Sequence, residues 1–167
     1  MDADDPDLSV AEFVDYCRTQ AGLLSGSART LTAEAEELLD EVDDLLETLR
    51  ERVDAAGPGG TERPDSPTAT PPEPTASDET VEDLEREVEH KQSLVEAKQA
   101  RIAAFNDLAA AYEELADELA ETVTDGHEAL QRVVAFEADR DAPAYFPERQ
   151  TVLEAAREEE TDDDRTD

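Results

Sequence analysis

The chain has 167 residues, with 47 Asp or Glu against 14 Lys or Arg, and a net charge of −33 at pH 7. A surface this acidic repels nucleic-acid phosphates and anionic lipid, which argues against direct nucleic-acid or membrane binding. Aromatic residues make up only 4% and tryptophan is absent, a thin supply for a compact globular core but adequate for long helices joined along a narrow apolar seam.

The first ten residues, MDADDPDLSV, have neither the basic n-region nor the apolar h-region of a signal peptide. No run approaches the ~20 apolar residues of a membrane span, so a soluble cytoplasmic protein is expected, with residues 1–9 disordered. Ser9-Val10-Ala11-Glu12 then reads as a capping box opening a helix. Apolar residues follow in alternating steps of four and three: Val10, Val14, Cys17, Ala21, Leu24, Ala28, Leu31, Ala35, Leu38, Val42, Leu45 and Leu49. This unbroken heptad seam predicts one coiled-coil helix over 10–55. Gly22 and Gly26 fall off the seam, where each weakens the helix by about 1 kcal/mol.

Residues 56–79 contain GPGGTERPDSPTATPPEPTAS, with six of the nine prolines, and read as a disordered Pro/Gly-rich linker. A second seam predicts a coiled-coil helix over 80–124. It runs through Val81, Leu84, Val88, Lys91, Val95, Lys98, Ile102, Phe105, Ala109, Tyr112, Ala116, Leu119 and Val123. Asp125-Gly126 interrupts it. A short C-terminal helical segment is expected over 125–160, with Pro143 and Pro147 breaking it and a last helix carrying Val152, Leu153 and Ala156. Residues 161–167, TDDDRTD, read as a disordered acidic tail.

Two helices of similar length joined by one linker predict an all-α fold, a long antiparallel coiled-coil hairpin. In such a hairpin an a position faces a d position. Centring the turn in the linker places Leu49 against Leu84, Leu45 against Val88, Val42 against Lys91 and Ala35 against Lys98. Lys91 and Lys98, the only lysines of the chain, thus occupy consecutive d positions. A lysine there lays its stem along the seam and lifts its ammonium to a flanking acid. Lys98 reaches Glu34 and Lys91 reaches Glu41, within the acidic run EAEELLDEVDDLLE at 34–47. Polar residues in a seam lower stability but specify register, so these four residues are read as register pins.

Leu39, Leu46 and Val53 flank the first seam on one side and Phe13 on the other; Leu94, Leu108 and Leu115 flank the second. A bare hairpin would leave them wet. The C-terminal segment is expected to cover Phe13, Leu108 and Leu115. Leu39, Leu46 and Val53 are expected to form an oligomer interface, most simply a homodimer.

No catalytic constellation is present. His90 and His127 are far apart, no metal-ligand spacing occurs, and Cys17 lies on the seam, where a small buried thiol is expected. Glu87 and His90 give one Glu-x-x-His spacing with no second copy. No cofactor, metal or enzymatic activity is therefore expected. Two lysines beside twelve arginines, with abundant Asp and Glu, resemble the composition of proteins from extremely halophilic archaea. There molar salt shrinks the Debye length to about 3 Å and screens carboxylate repulsion. The expected function is a noncatalytic coiled-coil interaction or scaffold protein of such an organism. The alternative is a coiled-coil hairpin chaperone, loosely similar to prefoldin in its two antiparallel helices. Residues 57–77 depart from that pattern, because they cannot form the β-hairpins that lie between prefoldin helices.

Overall fold

The computed structural model describes residues 8–56 and 76–165. The described chain is all-α, with four helices: α1 (Val10–Ala56), α2 (Ala76–Thr122), α3 (Gly126–Asp139) and α4 (Val152–Arg165). A 3-10 turn, Ala142–Tyr145, lies between the last two. Helices α1 and α2 pack on each other as a helical hairpin. No described helix is long and apolar enough to cross a membrane.

Several element boundaries differ from the sequence expectation. Residues 1–7 and 57–75 lie outside the described residues, but Leu8 and Ser9 do not. The Ser9 carbonyl accepts the first i to i−4 bond, from the Phe13 amide, and also takes up one orphan donor of the first turn, the Glu12 amide. Helix α2 starts at Ala76 instead of 80. Helix α4 continues through Arg165, where the sequence suggested a disordered tail from 161. Nucleation is the costly step of helix formation and propagation is cheap, and α4 is nucleated by buried bonds at its start, described below. Gly22 and Gly26 do not break α1: both are exposed, and a Cβ on either would meet nothing within 4 Å.

The chain divides into two units. One comprises Thr30–Arg101, the end of α1 and the beginning of α2. Its core is a single seam. Leu31, Ala35, Val42, Val88 and Val95 are buried, while Leu38, Leu45, Leu49, Val81 and Leu84 are half-buried. Two helices alone cannot close around a seam, so its layers stay partly wet.

The other unit comprises Met1–Arg29 and Ile102–Asp167. Here the helix pair is joined by α3, the 3-10 turn and α4, and burial is far deeper. Cys17, Ala21, Leu24, Tyr112, Ala116, Leu119, Ala129 and Val133 are at most 1% exposed. Phe13, Leu108 and Leu115, which flank the seams, are buried as well. Aromatic rings knit the layers edge to face: Phe105 with Tyr145 at 5.3 Å between centroids, and Tyr112 with Phe136 at 4.8 Å. Such pairs contribute about 0.5–1.5 kcal/mol beyond their buried area.

Helix α3 is capped by Asp125, whose carboxylate accepts from the His127 amide. The next residue, Gly126, is buried against the chain entering α1. A Cβ on Gly126 would lie 1.7 Å from the Leu8 carbonyl oxygen and 2.8 Å from the Leu8 Cβ. Only glycine permits this approach. At an open helix position alanine is favoured over glycine by about 1 kcal/mol. Here Gly126→Ala is expected to reverse that sign and destabilise the unit by about 1–3 kcal/mol, the range of core overpacking. A urea midpoint equal to or above that of the parent chain would show that Leu8 does not lie against α3.

Candidate functional site

The polar residues at the centre of the four-helix unit form one closed cluster around Glu137, which is 0% exposed. On α3 the buried line runs Gly126, Ala129, Val133, Glu137, so the carboxyl group takes the fourth place in an otherwise apolar row. Tyr16 of α1 donates its hydroxyl hydrogen to Glu137 Oε1 at 2.6 Å, and Tyr112 of α2 donates to the same oxygen at 2.9 Å. The backbone amide of Leu153, in the first turn of α4, donates to Oε2 at 2.7 Å. One side chain thereby ties all four helices together.

The second layer completes the accounting. The Tyr16 oxygen, having donated to Glu137, accepts from Gln20 Nε2 at 3.1 Å and from the Val152 amide at 3.1 Å. That uses its one donor and both lone pairs. Thr151, 1% exposed, accepts from the Glu154 amide through its Oγ1 at 3.3 Å and from Ala155 through its carbonyl. Three first-turn amides of α4 are thus held by side-chain oxygens, from Tyr16, Glu137 and Thr151. A carboxyl group at a helix N-terminus also meets the favourable end of its dipole. Among the described residues no buried side-chain nitrogen or oxygen lacks a partner.

This environment sets the acid–base character of its members. Burial, reinforced by the hydrogen bond to Glu137, raises the Tyr16 phenol well above its ordinary value. Burial and the charge of Glu137 do the same for Tyr112, with Gln20 partly offsetting them. Cys17 is fully buried, and its thiol is pushed up to about 12 by desolvation and by Glu137. A thiolate is the nucleophilic form, so at neutral pH Cys17 is an inert core residue. The cluster is chemically a latch: each of its buried side-chain nitrogens and oxygens has a partner within the fold.

In the two-helix unit the geometry differs. Lys91 Nζ lies 2.6 Å from Glu41 Oε2 and 3.9 Å from Glu87 Oε1, and Lys98 Nζ lies 2.7 Å from Glu34 Oε2. The two contacts share one register, because seven residues forward on α2 is seven back on α1. The lysine side chains are 20% and 25% exposed, while their acids are about half exposed. Stems therefore lie in the seam and charges at its rim. The hydrogen bond to Glu41 holds the Lys91 ammonium above the ordinary lysine value, against partial desolvation. If these pairs fix the register, chains carrying Leu45→Cys and Val88→Cys, with Cys17→Ala, should oxidise to an intrachain disulfide, which needs Cα atoms within about 7 Å. Leu45→Cys with Val95→Cys should not, unless Lys91 and Lys98 are both replaced by serine and the seam slips one heptad. A 45–95 bridge in the chain that keeps its lysines would refute this role.

Of the apolar residues flanking the first seam, Leu39 is 43% and Val53 is 55% exposed, with Leu46 half-buried between them. They recur every seven residues and form one stripe along α1. Leu94, on α2, is 38% exposed. His90 and His127 are exposed and belong to different units. Among the described residues no group of three or more His, Cys, Asp or Glu is placed to hold a metal ion. The sequence reading did not single out Glu137, Tyr16 or Gln20, and it counted Tyr112 only as a seam residue. The available signal was Ala129, Val133 and Glu137 at i, i+4 and i+8, an acid on the apolar line of a short helix. No family model, curated protein or solved structure matches the chain.

Proposed function

We propose that the chain is a noncatalytic coiled-coil interaction or scaffold protein of a halophilic archaeon. It works in the cytoplasm through a protein partner or a second copy of itself, with no nucleic acid, membrane, metal or cofactor in its role. The observation that carries this is the stripe of Leu39, Leu46 and Val53, apolar at heptad spacing, with Leu39 and Val53 exposed and Leu46 half-buried, which is the pattern a further helix packs against. The state of the polar core supports it. The four-helix unit uses Tyr16, Tyr112, Gln20 and Glu137 to hold its own helices. Lys91, Lys98, Glu34 and Glu41 act as register pins that keep the stripe at a fixed height on the hairpin.

The test is capture of the tagged chain from its host in molar salt. One stoichiometric protein, or the chain itself, is expected. A heterogeneous set of unfolded proteins would replace this reading with the chaperone one.

A further inference from the structure

The stripe has a symmetry that selects its occupant. Leu39 and Val53 are equidistant from Leu46, seven residues on either side. The outer edge of the stripe is the column Glu36, Asp43 and Arg50, one turn away on α1. Asp43 and Arg50 also fall almost symmetrically about Leu46. Both are exposed, and neither has an ion-pair partner among the described residues. We propose that this face takes a second copy of the same chain, in an antiparallel two-fold contact with Leu46 on the axis. This rests on the interaction-protein reading and names its partner.

A two-fold axis across two antiparallel helices makes the interface isologous: if residue i meets j, then j meets i. Leu46 then meets Leu46 of the second copy, and Leu39 meets Val53. The same operation keeps the outer edges on one side, so Asp43 of each copy faces Arg50 of the other within about one residue's rise of 1.5 Å. Two apolar layers at the ends, one at the centre and two symmetric ion pairs use every residue of the stripe and the only cation on its edge. A parallel two-fold pairing would put the two edge columns on opposite sides of the contact, so that Asp43 and Arg50 would not meet. The column one step further round, Asp40, Glu47 and Asp54, is wholly acidic, so association requires screening and strengthens with salt. The stripe from Leu39 to Val53 is roughly 21 Å long at 1.5 Å per residue. That is short for an interface, so the dimer is concentration-dependent and not obligate.

The test uses the full chain with Cys17→Ala in molar KCl under mild oxidation. Leu46→Cys alone should give a disulfide-linked dimer. Leu39→Cys alone and Val53→Cys alone should give several-fold less, and an equimolar mixture of those two should recover the cross-link. Sedimentation of the chain without added cysteines should show a reversible dimer. Arg50→Asp should weaken it and Arg50→Asp with Asp43→Arg should restore it. Equal cross-linking of Leu39→Cys alone and Leu46→Cys would overturn the antiparallel geometry. A monomer at every concentration overturns the second copy as occupant. If Leu46→Glu then also removes the captured partner, the interaction reading stands on a different protein; if it leaves capture unchanged, the stripe carries neither.

Discussion

Glu137→Leu is expected to lower the stability of the four-helix unit by about 3–5 kcal/mol, most of what a small unit possesses. The substitution is nearly volume-neutral, so the loss does not come from a cavity. It comes from three stranded donors: the hydroxyls of Tyr16 and Tyr112 and the amide of Leu153. Each unsatisfied buried group costs about 1–3 kcal/mol. Hydrogen exchange at Leu153 should accelerate before global unfolding, because its acceptor is gone. Adding Tyr16→Phe and Tyr112→Phe should recover part of the loss, since removing both sides of a buried polar contact is far less damaging than removing one. A Glu137→Leu chain melting within 1 kcal/mol of the parent would show that the cluster does not hold the helices.

The same cluster fixes a pH limit. Both phenols have their folded values raised, by burial first and by Glu137. Above about pH 10 the unfolded chain loses protons that the folded chain keeps. The folded state then binds more protons, so stability falls as pH rises. This contribution is fully present below pH 10, and alkaline unfolding should be shallower in the Tyr16→Phe, Tyr112→Phe chain.

The second large effect is that of salt. Dialysis from molar to millimolar KCl at pH 7 should remove much of the helical circular dichroism. The net charge is −33, and residues 34–47 place acids on every exposed face of α1. At 0.01 M salt the Debye length is about 30 Å, so these carboxylates repel along the length of the helix. Among the described residues of the two-helix unit five seam residues are buried, Leu31, Ala35, Val42, Val88 and Val95, which gives little apolar area to offset the repulsion. Screening also weakens the attraction at Lys91 and Lys98, but two lysines are few against 47 acids. Added salt therefore raises helicity, and helix should return near pH 4, where carboxylates protonate. Full helicity at low salt and neutral pH would mean that the seam is much stronger than its burial indicates.

The hairpin was legible because heptad spacing is a long signal. A dozen seam residues on each helix agree, and the a-to-d rule with a central linker brings Lys91 to Glu41 and Lys98 to Glu34, the contacts found. The latch was not legible. Its members come from four helices and are separated by up to 136 residues, and no periodicity links such positions. Glu137 is one acid among 47; only its place in line with Ala129 and Val133 distinguishes it. Helix ends were misjudged where tertiary bonds decide them: α4 persists through TDDDR because its first turn is anchored by Tyr16 and Glu137, a cause that composition cannot reveal.

The separation of those anchors also dictates when the four-helix unit can form during synthesis. Tyr16 is made early, but the Val152 amide that it accepts from comes 136 residues later. At about 5–20 residues per second, that is a wait of roughly 7–27 s. Helices α2 and α3 emerge during that interval and can cover part of this face, but the first-turn amides of α4 that Tyr16 and Glu137 accept from come last. The four-helix unit is therefore completed only when the last helix has been made, whereas Thr30–Arg101 has all its partners once residue 101 is out.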